Sequence, residues 1–122
     1  MILHIDTTQN DLIEISLKDK NKLLAVKKFK SYRDQAEKLL PAIGKLLKDN
    51  KLKLSDLESV EVENRGGSFT SLRIGVVTAN ALAYSLGIMV KGAGKTGVGR
   101  LNAVEPMYDR EPEITKKKMR SQ

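Results

Sequence analysis

Ile2, Leu3 and Ile5 open a short apolar run that Asp6, Thr7, Thr8, Gln9 and Asn10 close, a pattern that predicts a buried strand ending in a polar turn. Leu12, Ile13, Ile15 and Leu17 predict a second strand. After a turn over residues 18–22, residues 23–29 predict a third, so the chain opens as a meander of three. Over residues 31–50 the period changes: Tyr32, Ala36, Leu39, Leu40, Ile43, Leu46 and Leu47 share one arc of an amphipathic helix. Pro41 falls inside it and must remove a backbone bond and kink it, unless the helix begins later. Ser55 and Glu58 have capping-box spacing, but the alternation of Val60 and Val62 is that of a strand, so at most one turn is expected there. Asn64, Arg65, Gly66, Gly67 and Ser68 form a tight loop feeding a helix over residues 69–86, followed by a strand over 88–90. From Lys91 the chain is rich in glycine, and from Pro106 it is proline-punctuated and charged.

Placed at 100° steps, the second helix carries two apolar arcs: Phe69, Leu72, Val76, Ala79 and Ala83 on one, and Ile74, Val77, Ala81 and Tyr84 on the other. Polar stripes separate them, Ser71, Thr78 and Ser85 on one side and Arg73 and Asn80 on the other. A helix lying on a sheet with water behind it needs one apolar arc. The second calls for a cover, either another segment of the chain or a partner. The partner reading is preferred.

Composition narrows the field. The 122 residues suit one domain able to bury a core without a disulfide or metal staple. With no cysteine, disulfide frameworks, thiolate zinc sites and thiol nucleophiles are excluded, and with His4 the single histidine, so are multi-histidine metal sites. The net charge of +7 comes in good part from Lys116, Lys117, Lys118 and Arg120, so the basic character is partly a tail property. No charged-then-apolar leader opens the chain, which is read as cytoplasmic. The uncharged stretch over 74–90 is broken by Thr78, Asn80, Ser85 and Gly87, so it is read as a helix and a strand rather than a membrane span.

The element order, three strands then helix, strand, helix, strand, implies a mixed five-stranded α/β sheet with flanking helices, compatible with a ribonuclease H-like or actin-like ATPase core. At this point particular residues speak. Gly67, Ser68, Phe69, Thr70, Ser71, Leu72, Arg73, Ile74 and Gly75 resemble the G-P-G-S-F-T-G-L-R-I-G signature of the TsaB (YeaZ) family. Ile5, Asp6, Thr7 and Thr8 stand at the place of that family's opening I-D-T-S, and Leu39, Leu40, Pro41 and Ile43 resemble its L-L-P-x-I helix, which accounts for the mid-helix proline. Ala79 to Gly87 resembles its A-x-G-L-A stretch. Pro106, Tyr108, Arg110, Pro112, Glu113 and Ile114 resemble its terminal P-x-Y-x-R-x-P-E-I run. The sequence departs at Arg65, Gly66 and Ser71, where the family prefers Gly, Pro and Gly, and at Gln35, where it often has His. Since only a glycine-rich stretch separates the two matching regions, the resemblance implies a minimal form without the second subdomain: a folded unit over 1–92, a linker over 93–103 and a tail over 104–122.

The resemblance further implies a non-catalytic subunit of the complex that makes threonylcarbamoyladenosine (t6A) in tRNA. It would pair with the paralogue TsaD, which carries the chemistry, and with the ATPase TsaE. Any ATP or ADP and metal would sit on those partners rather than on a cofactor of its own. A homodimer is expected when TsaD is absent. In this family the second helix packs against TsaD in a bundle, which makes Arg73, Ile74, Val77, Asn80, Ala81 and Tyr84 the candidate interface. The paired histidines of the catalytic paralogue cannot exist here.

Three further features carry competing readings. In actin-like ATPases the turn at Asp6, Thr7 and Thr8 holds a metal-bound phosphate, but these are also ordinary turn residues, and the structural reading is preferred. Gly66, Gly67 and Ser68 offer amides at a helix start, or Ser68 merely caps it; capping is again preferred. Gly94, Lys95 and Thr96 lack the upstream glycine of a phosphate-binding loop, Met89 standing there. The four basic tail residues are candidates for tRNA phosphate contacts. An independent nucleotide-binding domain and a small basic RNA-binding module are the alternatives to the scaffold.

Overall fold

The computed structural model describes residues 1–9, 11–31 and 33–93. It contains the strands β1 (Ile2–Gln9), β2 (Leu12–Asp19) and β3 (Lys22–Lys30), the helix α1 (Gln35–Asp49), a single 3-10 turn (Leu54–Asp56), the strand β4 (Ser59–Val62), the helix α2 (Phe69–Leu86) and the strand β5 (Met89–Gly92). The five strands form one sheet in the order β3-β2-β1-β4-β5. The first three are antiparallel, while β4 joins β1 and β5 joins β4 in parallel. Each parallel neighbour is reached through a helix, as parallel pairing requires.

Leu3, Ile5, Ile13, Ile15, Leu17, Val60, Val62 and Val90 point to one face of the sheet and are at most 1% exposed. Both helices seal that face: α2 lies over β1, β4 and β5, and α1 over β2 and β3. The opposite face carries His4, Asp6 and Thr8 of β1, Glu14, Ser16 and Lys18 of β2 and Glu61 of β4, so along most of these strands apolar inner residues alternate with polar outer ones.

Several expectations are corrected. β1 does not stop at Ile5: Asp6 pairs with Glu14 and Gln9 with Leu12, so Asp6, Thr7, Thr8 and Gln9, expected in a turn, belong to the strand. α1 starts at Gln35 rather than at residue 31. The Ser31 N–H is taken by the Asp11 carbonyl, the Ser31 hydroxyl by the Asp34 carboxylate, and Arg33 has φ of +95°, so no helix can form before Asp34. The buried face of α1 is Gln35, Leu39, Ala42, Ile43, Leu46 and Leu47. Ala36 is exposed and Leu40 is 53% exposed; Leu40 lies about 100° around the helix from Leu39, just beyond the covered arc. Before β4 the structure has the single turn expected there, held by the Lys53 N–H donating to Asp56, while Glu58 pairs with the terminal amine of Met1 at 2.7 Å. β5 continues through Lys91 and Gly92, which pair with Glu61 and Val62.

Candidate functional site

The C-terminal ends of β1 and β4 and the start of α2 meet at one end of the sheet. Thr7 is fully buried, and its hydroxyl donates to the Ser71 carbonyl at 2.7 Å. Gly75 makes this possible: a Cβ there would collide with the Thr7 hydroxyl. Asp6, on the other side of the strand, accepts from the Thr8 N–H at 2.8 Å, the Thr8 hydroxyl at 2.6 Å and the Gln9 amide at 2.8 Å. Both carboxylate oxygens are thus bonded within the strand. Gly66 and Gly67 both have positive φ, and a Cβ on Gly67 would lie 2.6 Å from the Thr8 Cα, so the loop is pressed against β1 where only glycine fits. The Ser68 hydroxyl accepts from the Ser71 N–H at 3.1 Å, a standard helix cap. Asp6, Thr7, Thr8, Gly66, Gly67 and Ser68 are therefore brought together as the sequence suggests. The hydrogen bonds of Asp6, Thr7 and Ser68 hold the fold.

The two arcs of α2 separate cleanly. Leu72, Val76, Ala79 and Ala83 are buried against the sheet, joined by Leu82; Phe69, expected with them, is 39% exposed at the first turn. Ser71, expected in a polar stripe, is buried because its carbonyl receives Thr7. On the second arc, Val77 is 57% and Tyr84 87% exposed, with Ala81 exposed between them. Arg73 is exposed and Asn80 half-buried at the margins, while Ile74 is half-buried and also packs on the core.

The polar sheet face carries a cluster that sequence reasoning missed. The parallel register sets His4 opposite Glu61. The imidazole lies between two carboxylates, Nδ1 3.2 Å from Glu61 and Nε2 3.0 Å from Glu63, and Lys18 bonds Glu61 at 2.9 Å. Burial pulls His4 below the ordinary histidine range despite Glu61, and burial together with the Asp6 charge pushes Glu63 above the ordinary carboxylate range. The alternation of Val60 and Val62 with Glu61 placed the carboxylates on the outer face, but only the register showed which histidine they meet. Among the described residues, no group of His, Cys, Asp and Glu is arranged to hold a metal ion, and no helix is long and apolar enough to cross a membrane. Lys116, Lys117, Lys118 and Arg120, with the expected linker beyond Ala93 and the tail, lie outside the described residues.

An antiparallel meander extended by two parallel strands, with both helices on one face, defines an actin-like, ribonuclease H-like subdomain. A family model described as TsaD, tRNA N6-adenosine threonylcarbamoyltransferase, matches residues 29–93. The tRNA threonylcarbamoyladenosine biosynthesis protein TsaB of Bacillus subtilis is 34% identical over 114 residues, covering 88% of this chain and 49% of that protein. An uncharacterized protein of Mycobacterium tuberculosis is 42% identical over 60 residues, covering 49% of this chain and 28% of the relative. The solved structure of YeaZ from Pseudomonas aeruginosa superposes with a TM-score of 0.66 at 24% identity, covering 74% of this chain and 42% of that one. The chain belongs to the TsaB (YeaZ) family, and spans about half the length of the Bacillus relative.

Proposed function

We propose that this protein is a non-catalytic scaffold in the biosynthesis of t6A in tRNA, docking onto the catalytic paralogue TsaD through the outer arc of α2. The observation that carries the reading is the exposure of Val77 and Tyr84, with the small Ala81 between them, on a helix whose opposite face is committed to the core. A large apolar surface left to water on a packed helix marks an interaction site, and a small residue at its centre lets a second backbone approach closely. Family membership supplies the pathway. Asp6 and Thr7, which an actin-like ATPase would turn toward a phosphate, spend their polar atoms on Thr8, Gln9 and Ser71, which supports the scaffold over an independent nucleotide-binding domain. In this reading nucleotide and metal belong to TsaD and TsaE, the basic tail adds tRNA phosphate contacts, and a second copy covers α2 when TsaD is absent.

The test is Ala81→Glu. It should leave folding stability within about 0.5 kcal/mol of the parent, since the position is exposed. Co-purification with TsaD should be lost, because an unpaired carboxylate buried in the complex costs about 3–5 kcal/mol, or more than a hundredfold in affinity. A stable variant that still binds TsaD normally would place the docking face elsewhere.

A further inference from the structure

β3 ends the sheet, with β2 on one side and, among the described residues, no strand on the other. The Ser31 N–H bonds the Asp11 carbonyl. By the two-residue period of an antiparallel ladder, Phe29, Lys27 and Ala25 therefore turn their backbone groups to β2, while Lys30, Lys28 and Val26 turn theirs to the open edge. The side chains along this edge are of two kinds. Leu23, Leu24 and Val26 are 57%, 46% and 42% exposed, a concentration of apolar surface left to water toward the start of the strand. Lys27, Lys28 and Lys30 follow toward its end, with Lys22 at the first position. The lysine ion pairs among the described residues are those of Lys18, Lys38 and Lys45, so none of the four lysines of β3 is paired there.

Charge decides what can pair with this edge. Lysines on an edge strand keep copies of a protein apart. Here a second copy paired antiparallel about Lys27 or Lys28 would set that lysine against itself, and like charges directly opposite destabilise a ladder. The same charges favour a strand of opposite sign, so they select a partner as well as reject one. Between acidic polypeptide and nucleic acid, the rest of the strand discriminates. Its one aromatic ring, Phe29, packs on the core and is not presented to a base, whereas the open backbone of Val26, Lys28 and Lys30 and the apolar Leu23, Leu24 and Val26 suit an added strand.

We propose that the β3 edge takes an extended acidic segment of a partner protein as a sixth, antiparallel strand. Its backbone bonds Val26, Lys28 and Lys30, its carboxylates lie beside Lys28 and Lys30, and an apolar side chain lies beside Val26. This edge is separate from the outer arc of α2, so the proposal does not depend on the scaffold reading. The probe is the capped peptide Thr-Glu-Thr-Glu-Thr-Val-Thr, whose two glutamates and valine meet Lys30, Lys28 and Val26 in that order. It is titrated into the full chain at fixed ionic strength and followed by amide nuclear magnetic resonance and hydrogen exchange. Saturable binding is expected, with the Val26, Lys28 and Lys30 amides becoming protected from exchange. Methylating the peptide nitrogens of both glutamates leaves the charge and removes the donors, and should weaken binding by about fivefold or more. Lys30→Glu should weaken binding of the glutamate peptide by a similar factor and favour the same peptide with lysines in place of glutamates. Lys30 is exposed and stands opposite Leu12, so its reversal meets no carboxylate across the ladder; Lys30→Gln, which only removes the charge, should fall between the parent and Lys30→Glu. The proposal is overturned by absence of saturable binding, by equal binding of the methylated peptide, or by binding unchanged in Lys30→Glu. Tighter binding of a heptameric oligouridylate than of the peptide would make the edge a nucleic-acid surface instead, and protection of the same amides on concentrating the chain alone would make it a contact between copies; either result also overturns it.

Discussion

Single side chains decide how the sheet end and the outer face are held. Thr7 and Gly75 act as a pair: the hydroxyl reaches the Ser71 carbonyl because the glycine leaves room for it. Gly75→Ala should cost about 1–3 kcal/mol through overpacking, and Thr7→Ala about 1–2 kcal/mol through the lost buried bond. In the double variant the clash disappears with the hydroxyl. The combined loss should therefore fall short of the sum by at least about 0.5 kcal/mol, measured by denaturant titration as a double-mutant cycle. On the other face, His4 and Glu63 set opposite pH dependences. The folded pKa of His4 is lowered, so the unfolded chain binds its proton more readily, and stability is lost as pH falls through the region below 6.5. That of Glu63 is raised, so stability is lost as pH climbs from 4.5 through the folded value. Glu63→Gln should then gain stability over the parent at pH 7 and lose that advantage at pH 4, read from unfolding midpoints at the two pH values.

Among the elements, α1 carries a local conflict that packing overrides. Pro41 sits inside a continuous helix on the exposed side, away from Leu39, Ile43 and Leu46. A proline within a helix forfeits one backbone bond, and here the apolar face holds the helix despite it. Pro41→Ala should restore that bond without touching the core and raise stability by about 1–3 kcal/mol, seen as a higher unfolding temperature. α2 shows the reverse case, in which local signals and packing agree: Ser68 caps its start, and Gly87 at φ +68° ends it. Its limits were legible in the sequence for that reason. Its inner arc was legible too, because Leu72, Val76, Ala79 and Ala83 follow the helical period. Phe69 departs from that arc because it stands at the first turn.

At the scale of the molecule, the described fold is closed by β5, where Val90 is 1% exposed and the Ala93 N–H bonds the Val62 carbonyl at 2.8 Å. A chain ending after Val90 would forfeit the β5 pairing of Lys91 and Gly92, whereas one ending after Ala93 keeps the whole sheet. The second should unfold cooperatively with native-like circular dichroism, and the first at lower denaturant concentration. The type and order of the elements, the mixed sheet and the inner faces of the strands followed from the sequence alone. Alternation, helical period and caps are properties of neighbouring residues, and burial of one face enforces them. The signature around Gly67 to Gly75 likewise carried the family. Only the tertiary structure decided that Asp6 and Thr8 bond each other within a strand, that Thr7 is locked to Ser71, that His4 lies between Glu61 and Glu63, and that Leu40 is left out of the core while Gln35 is taken in. These outcomes depend on strand register, on how far a helix face is covered, and on contacts between residues 57 and 64 positions apart, distances over which no local pattern extends.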